Sequence, residues 1–207
     1  MQSEGVVGTR RVSRGALAPI ALGGDTETLV TPLHPQFMAA VLEGRAYAAA
    51  VSGSAGVDPG TALTATAAFS LYNPKSSGLN LVVWAAMLAY VSGTLPAGAI
   101  YYCAIGNIDA PTGGAELVPV NLLVGRPRGV ALPRAGAVLS TAPTLVRPFC
   151  SLAPILASSV VAPWVVRDPV NGAFVVPPGA CLSLHGSGGG GSSPLVSLGM
   201  EWEEIPE

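Results

Sequence analysis

The sequence predicts an all-β fold, a two-sheet sandwich that follows an N-terminal arm. Three observations predict it. Apolar residues alternate with a period of two through much of the chain beyond residue 45. Glycine and proline are frequent, at 26 and 19 of 207 residues. Aromatic and charged residues are few, at 6% and 11%. A period of two places successive side chains on opposite faces of a strand. Abundant Gly and Pro shorten helices and supply turns, and many short strands divided by such turns indicate a sandwich or barrel. The length suits one domain of ordinary size with an extension.

Residues 1–44 show no sustained alternation and read as an arm rather than a domain. Within them Pro35–Gly44 predicts a short helix of two or three turns. Pro35 sits at a tolerated first position, Phe37, Ala40 and Val41 share a face, and Gly44 ends it. Residues 45–207 form the β-domain. Leu63, Ala65, Ala67, Phe69 and Leu71 alternate with small or polar residues. Leu79 to Val91 is apolar on both faces, with Leu81, Val83, Ala85, Met87 and Ala89 expected on one and Val82, Trp84, Ala86, Leu88 and Tyr90 on the other. Such a strand is central in a core or packs one side against another chain. Further strands are expected at 98–106, 115–124, 129–140, 144–152, 159–167, 173–176 and 180–186. The last, 194–204, sets Val196, Leu198, Met200 and Trp202 against Ser197, Gly199, Glu201 and Glu203, a half-buried strand with a wetted acidic face. Eight to ten strands at this spacing point to a jelly roll, the commonest eight-strand solution.

Composition bounds the function classes. Charged residues stand well below the roughly 25% of ordinary soluble domains, which implies that other chains cover part of the exterior. Mean hydropathy is positive, at +0.53, yet the strongest apolar stretch, Leu81–Val91, is well short of the ~20 residues of a spanning helix. Arg10, Arg11 and Arg14 precede a Pro- and Gly-broken segment, so no signal peptide is expected. A net charge of −2 implies no obligatory nucleic-acid or membrane partner. The basic start and the acidic end (Glu201, Glu203, Glu204, Glu207) read as solvated. Cys103, Cys150 and Cys181 lack CxxC spacing and are expected as buried free thiols.

Candidate chemistry is sparse. Gly186, Gly188 and Gly191 fit GxGxxG spacing, but Pro194 and a strand follow where a phosphate site needs a helix N-terminus. A flexible hairpin loop is expected there. Cys181, Ser183 and His185 share one strand face. Ser183 and His185 would need a carboxylate such as Asp168 or Asp25 to act as a triad, and no nucleophile elbow is present. Glu201, Glu203 and Glu204 read as an exposed strand face that discourages edge pairing. His34, between two prolines, reads as a turn or arm contact. No catalytic, cofactor or metal site is expected, and two distant histidines are too few for a cupin centre.

The segment Leu71-Tyr72-Asn73-Pro74-Lys75-Ser76-Ser77-Gly78-Leu79-Asn80-Leu81 resembles a YNP-x-x-SG-x-N-L corner found in a group of tailed-bacteriophage structural proteins. Leu33-His34-Pro35, Glu43-Gly44-Arg45-Ala46-Tyr47, Val176-Pro177-Pro178-Gly179 and Glu201-Trp202-Glu203-Glu204-Ile205-Pro206 resemble them too. The likeness runs from about residue 29 to the end and is loose over 107–170. Physically, Asn73-Pro74 starts a turn, Gly78 permits positive φ, and Pro177-Pro178-Gly179 forces a reversal.

The resemblance implies a virion protein: a jelly roll that assembles as a homotrimer in the host cytoplasm and decorates the phage head, cementing the major capsid protein lattice. The arm would do the attaching, with Leu29, Leu33, Phe37 and Met38 as its contacts, because a segment that cannot fold alone can order on a neighbour. The competing expectation is a tail-fibre or baseplate module that binds a host glycan, with Trp164, Tyr72, Tyr101 or Tyr102 as the stacking aromatics.

Overall fold

A computed structural model describes residues 37–95, 97–152 and 165–207. The chain divides into two units between Met38 and Ala39, and every described strand belongs to the second. Leu29, Leu33, His34, Asp25, Trp164 and the expected strand residues 159–164 lie outside the described residues.

One short helix, α1 (Met38–Leu42), is present among them. It is shorter than expected because Phe37 adopts φ +70°, outside the helical region, so the first turn starts only at Met38. Its end is as expected. Gly44 takes φ +73°, its N–H donates to Val41 O at 2.9 Å, and Arg45 N–H donates to Ala40 O at 3.0 Å. These two bonds form a Schellman cap, which needs a left-handed residue at that point.

Eleven strands are present among the described residues: β1 (Ala46–Ala50), β2 (Thr66–Tyr72), β3 (Leu79–Ser92), β4 (Gly98–Ile105), β5 (Ala115–Glu116), β6 (Val120–Asn121), β7 (Leu132–Val138), β8 (Thr144–Leu152), β9 (Val165–Val176), β10 (Cys181–Gly188) and β11 (Leu195–Pro206). They form two antiparallel sheets, ordered β6-β1-β11-β3-β9 and β5-β7-β2-β10-β4-β8. The protein is an all-β sandwich. Pairing is nested: β1 with β11, β2 with β10, β3 with β9, and β4 with β8. Successive nested pairs fall in alternate sheets.

Between the sheets lies one main core. It takes Phe69 and Leu71 from β2, Leu81, Val83, Ala86 and Leu88 from β3, Leu182 and Leu184 from β10, and Val196, Leu198, Met200 and Trp202 from β11. The inward set of β3 changes parity midway. A register shift between Val83 and Ala85 on the β9 side, matched by one between Glu201 and Trp202 on the β11 side, marks a bulge at Trp84. The single alternation expected along Leu81–Ala89 is therefore wrong past Val83, because one extra residue flips every later side chain. Trp84 is buried, as is Trp202.

Residues 165–167 of the expected strand 159–167 and the expected strand 173–176 belong to one strand, β9. Its pairing steps from Phe174 to Pro169 opposite Trp84. Asn171 and Gly172 take φ of +51° and +81° in between, while Val170 enters the core. The region 115–124 is also not one strand. β5 joins the edge of the six-stranded sheet and β6 the edge of the other. Nor is the glycine-rich stretch after β10 a hairpin: it carries the chain from one sheet to the other, since β10 and β11 do not pair.

The YNP corner is built as its residues suggest. Ser77 N–H donates to Pro74 O at 3.0 Å, and Gly78 and Gly179 take φ of +61° and +76°. Asn73 is fully buried. Its Nδ2 donates to Leu79 O (2.7 Å) and Val176 O (2.8 Å). Its backbone N–H donates to Ala180 O, and its carbonyl accepts from Gly179 N–H. One side chain thus ties the β2–β3 turn to the β9–β10 turn.

Candidate functional site

The Ser183–His185 pair exists. Both residues are buried on β10, and Ser183 Oγ lies 2.9 Å from His185 Nε2. Ser183 Oγ also lies 3.2 Å from Cys103 O, and its one proton goes to that carbonyl or to the ring according to the tautomer of His185. His185 Nδ1 is left buried without a hydrogen-bond partner. A hydrolytic triad needs a carboxylate on Nδ1 to orient the ring, and none bonds to it. Asp168, one of the two carboxylates such a triad would have needed, sits on β9 in the other sheet and accepts from Tyr102 Oη–H (2.9 Å) and Arg147 Nη2–H (2.8 Å). Burial pushes His185 down to about 4, so the ring is neutral near pH 7.

Asp168 belongs to a clasp between β4, β8 and β9. The Arg147 guanidinium lies over the rings of Tyr102 (5.0 Å) and Phe174 (5.3 Å). Tyr102 also packs on Phe149 and Phe174, with centroids 5.4 and 4.9 Å apart. Burial, then the neighbouring Asp168 carboxylate, raises the Tyr102 hydroxyl pKa, so it stays a donor. The group joins edge strands of the two sheets and is architectural. Composition gave no sign of it.

The glutamates of the last strand do not share one face: Glu201 and Glu203 stay part-exposed on the outer face, as expected, and Glu204 is buried. β11 is the middle strand of its sheet, so its acids guard no edge. Glu201 pairs with Arg167 at 2.9 Å and Glu203 with Arg45. Glu204, 5% exposed, follows Trp202 on the inward parity. Its carboxylate accepts from Val130 N–H (2.9 and 3.1 Å), Ala131 N–H (3.2 Å) and Trp202 Nε1–H (3.3 Å). Gly129 gives it room, since a Cβ there would lie 2.4 Å from Glu204 Oε1. The alternation rule alone places Glu204 inward; reading three glutamates as one cluster hides it.

The three cysteines are free. Burial pushes Cys103 and Cys150 up to about 11 and Cys181 to about 12, so they remain thiols. Of the candidate stacking aromatics, Tyr72 and Tyr102 are buried and Tyr101 is half-buried. Among the arm contacts, Phe37 and Met38 are half-buried. Among the described residues no group of three or more His, Cys, Asp and Glu could hold a metal ion, and no helix is long and apolar enough to cross a membrane.

What the surface does offer is exposed aliphatic side chains on both rims of the sandwich. Val118, Val120, Val130 and Leu132 lie on or beside β5, β6 and β7, and Leu145, Val146, Val165 and Val175 lie on edge strands β8 and β9. The first group adjoins a groove of about 360 Å³ that also holds Pro119, Pro133 and Arg128. The chain is thus an all-β sandwich with apolar rims. No protein-family model, curated protein or solved structure matches it.

Proposed function

We propose that this chain is a non-enzymatic structural protein of a tailed-phage virion, a head decoration or cement protein. In this reading it folds as a jelly roll, assembles as a homotrimer and binds the major capsid protein lattice to stabilise the head. The arm, residues 1–44, attaches it. The observation that carries the assembly reading is the pair of apolar rims on a charge-poor chain, since large exposed apolar patches mark interaction surfaces. Nested pairing in alternate sheets supports the jelly roll, which is a long hairpin rolled into two layers. The virion assignment rests on the sequence resemblance, and the burial of Asn73 gives the residues that carry it a physical role.

The test has two arms. Sedimentation at micromolar concentration should give three times the 20.7 kDa chain mass; a clean monomer defeats the trimer. Labelling of intact particles should find the chain on the head shell. A tail position would favour the glycan-binding alternative instead.

A further inference from the structure

The connection between β6 and β7 is fixed from inside. Asn121 is 4% exposed. Its Oδ1 accepts from Leu123 N–H at 2.8 Å, and its Nδ2 donates to Gly44 O at 2.8 Å and Pro127 O at 3.3 Å. Arg126 N–H closes a turn on Leu123 O at 3.2 Å. This scaffold holds Val124 at the tip with 91% of its surface exposed, with Arg126 and Arg128 just beyond it. Arg45, Lys75, Arg134, Arg147 and Arg167 each have a carboxylate partner. Among the described residues Arg126 and Arg128 are the two cations without one.

We infer that residues 122–128 form a docking finger for a different protein, one whose surface presents an apolar socket bordered by carboxylates. The tip supplies the aliphatic plug and the two guanidiniums supply the complementary charge. A loop already ordered loses little conformational freedom on binding. A second copy of this chain fits poorly, because most of its described carboxylates are already engaged. Glu43, Asp109, Glu116, Asp168, Glu201 and Glu203 hold cations, and Glu204 holds backbone N–H groups. Nor does one apolar tip followed by two cations resemble the multiple contacts that hold a phosphate backbone. The inference rests on the chain being part of a larger assembly, but not on that assembly being a phage.

The test uses the full chain and immobilised synthetic peptides in which Leu and Val are flanked by Glu, with Lys-flanked counterparts, duplex DNA, and vesicles of equal parts phosphatidylcholine and phosphatidylserine. Only the Glu-flanked peptides should bind, more weakly as salt rises. The Arg126→Glu/Arg128→Glu double variant, and separately Val124→Asp, should weaken that binding about tenfold or more without moving the thermal midpoint. Absent binding, equal binding to Lys-flanked peptides, unchanged affinity in the variants, or preference for DNA or vesicles overturns the inference. Sedimentation of the same variants separates it from self-assembly. Unchanged mass supports a foreign partner, whereas loss of an oligomer would make the finger a contact between copies and sink the proposal.

Discussion

At the scale of single residues, two buried polar groups have measurable consequences. Glu204 accepts backbone N–H groups of Val130 and Ala131. Glu204→Gln would turn an amide NH₂ toward those donors, and loss of charge-assisted bonds of this kind costs about 2 kcal/mol. Denaturant unfolding should show that loss, and an unchanged midpoint would remove the anchoring role. His185 acts through protonation. Its folded pKa, about 4, lies below its ordinary 6.5, so between those values the unfolded chain binds more protons. The stability present above pH 6.5 is therefore lost progressively as pH falls toward 4, by about 3 kcal/mol in all. Unfolding followed across that window should show the slope, and His185→Gln should flatten it. If the two pH profiles coincide, the acid sensitivity lies elsewhere.

At the scale of elements, the chain's punctuation is more legible than its parity. Gly44, Gly78 and Gly179 announce turns, and all three take positive φ. β8 has the bounds read from its sequence, and β4, β7, β10 and β11 lie within two or three residues of theirs. The bulge at Trp84 is invisible in the sequence because Val82, Val83, Trp84, Ala85 and Ala86 are all apolar, so no polar residue marks the change of face. β9 reads as two strands because Pro169 and Gly172 imitate a turn, whereas in the fold they sit in a bulge that feeds Val170 to the core. Asn73 shows how two turns depend on one side chain. Asn73→Ala would leave Val176 O without its side-chain donor and Leu79 O with only the 3.2 Å bond from Ser77 Oγ–H, a loss of about 2 kcal/mol. Thermal unfolding should register it, with raised amide exchange at both turns. Exchange raised at the β2–β3 turn alone would mean that the tie between them carries little.

For the whole molecule, the sandwich class follows from composition and period. Which strands are edges does not, since sheet order depends on long-range pairing that local pattern does not encode. β11 reads as a half-buried final strand whose acids guard an edge, and it is the central strand of its sheet, while the clasp around Asp168 joins residues far apart in sequence. The rims yield a prediction at this scale. Val165 and Val175 are 72% and 55% exposed, so Val165→Lys with Val175→Lys should leave the fold's midpoint nearly unchanged. If the β8–β9 rim is covered by other copies, the sedimenting mass should fall toward that of one chain. Retention of the full mass would place the contact elsewhere.

The position of β11 bears on how the protein is made. A ribosome delivers β1 early and β11 last of the eleven, yet β11 lies between β1 and β3 in the finished sheet. Until synthesis reaches Leu195, those two strands have no common neighbour, and the aromatic face of Tyr47 waits for Trp202 to stack on it. Nascent chains would thus carry bare strand borders for most of translation. A cell producing this protein in quantity would need either a holding chaperone or a fast final stretch of elongation.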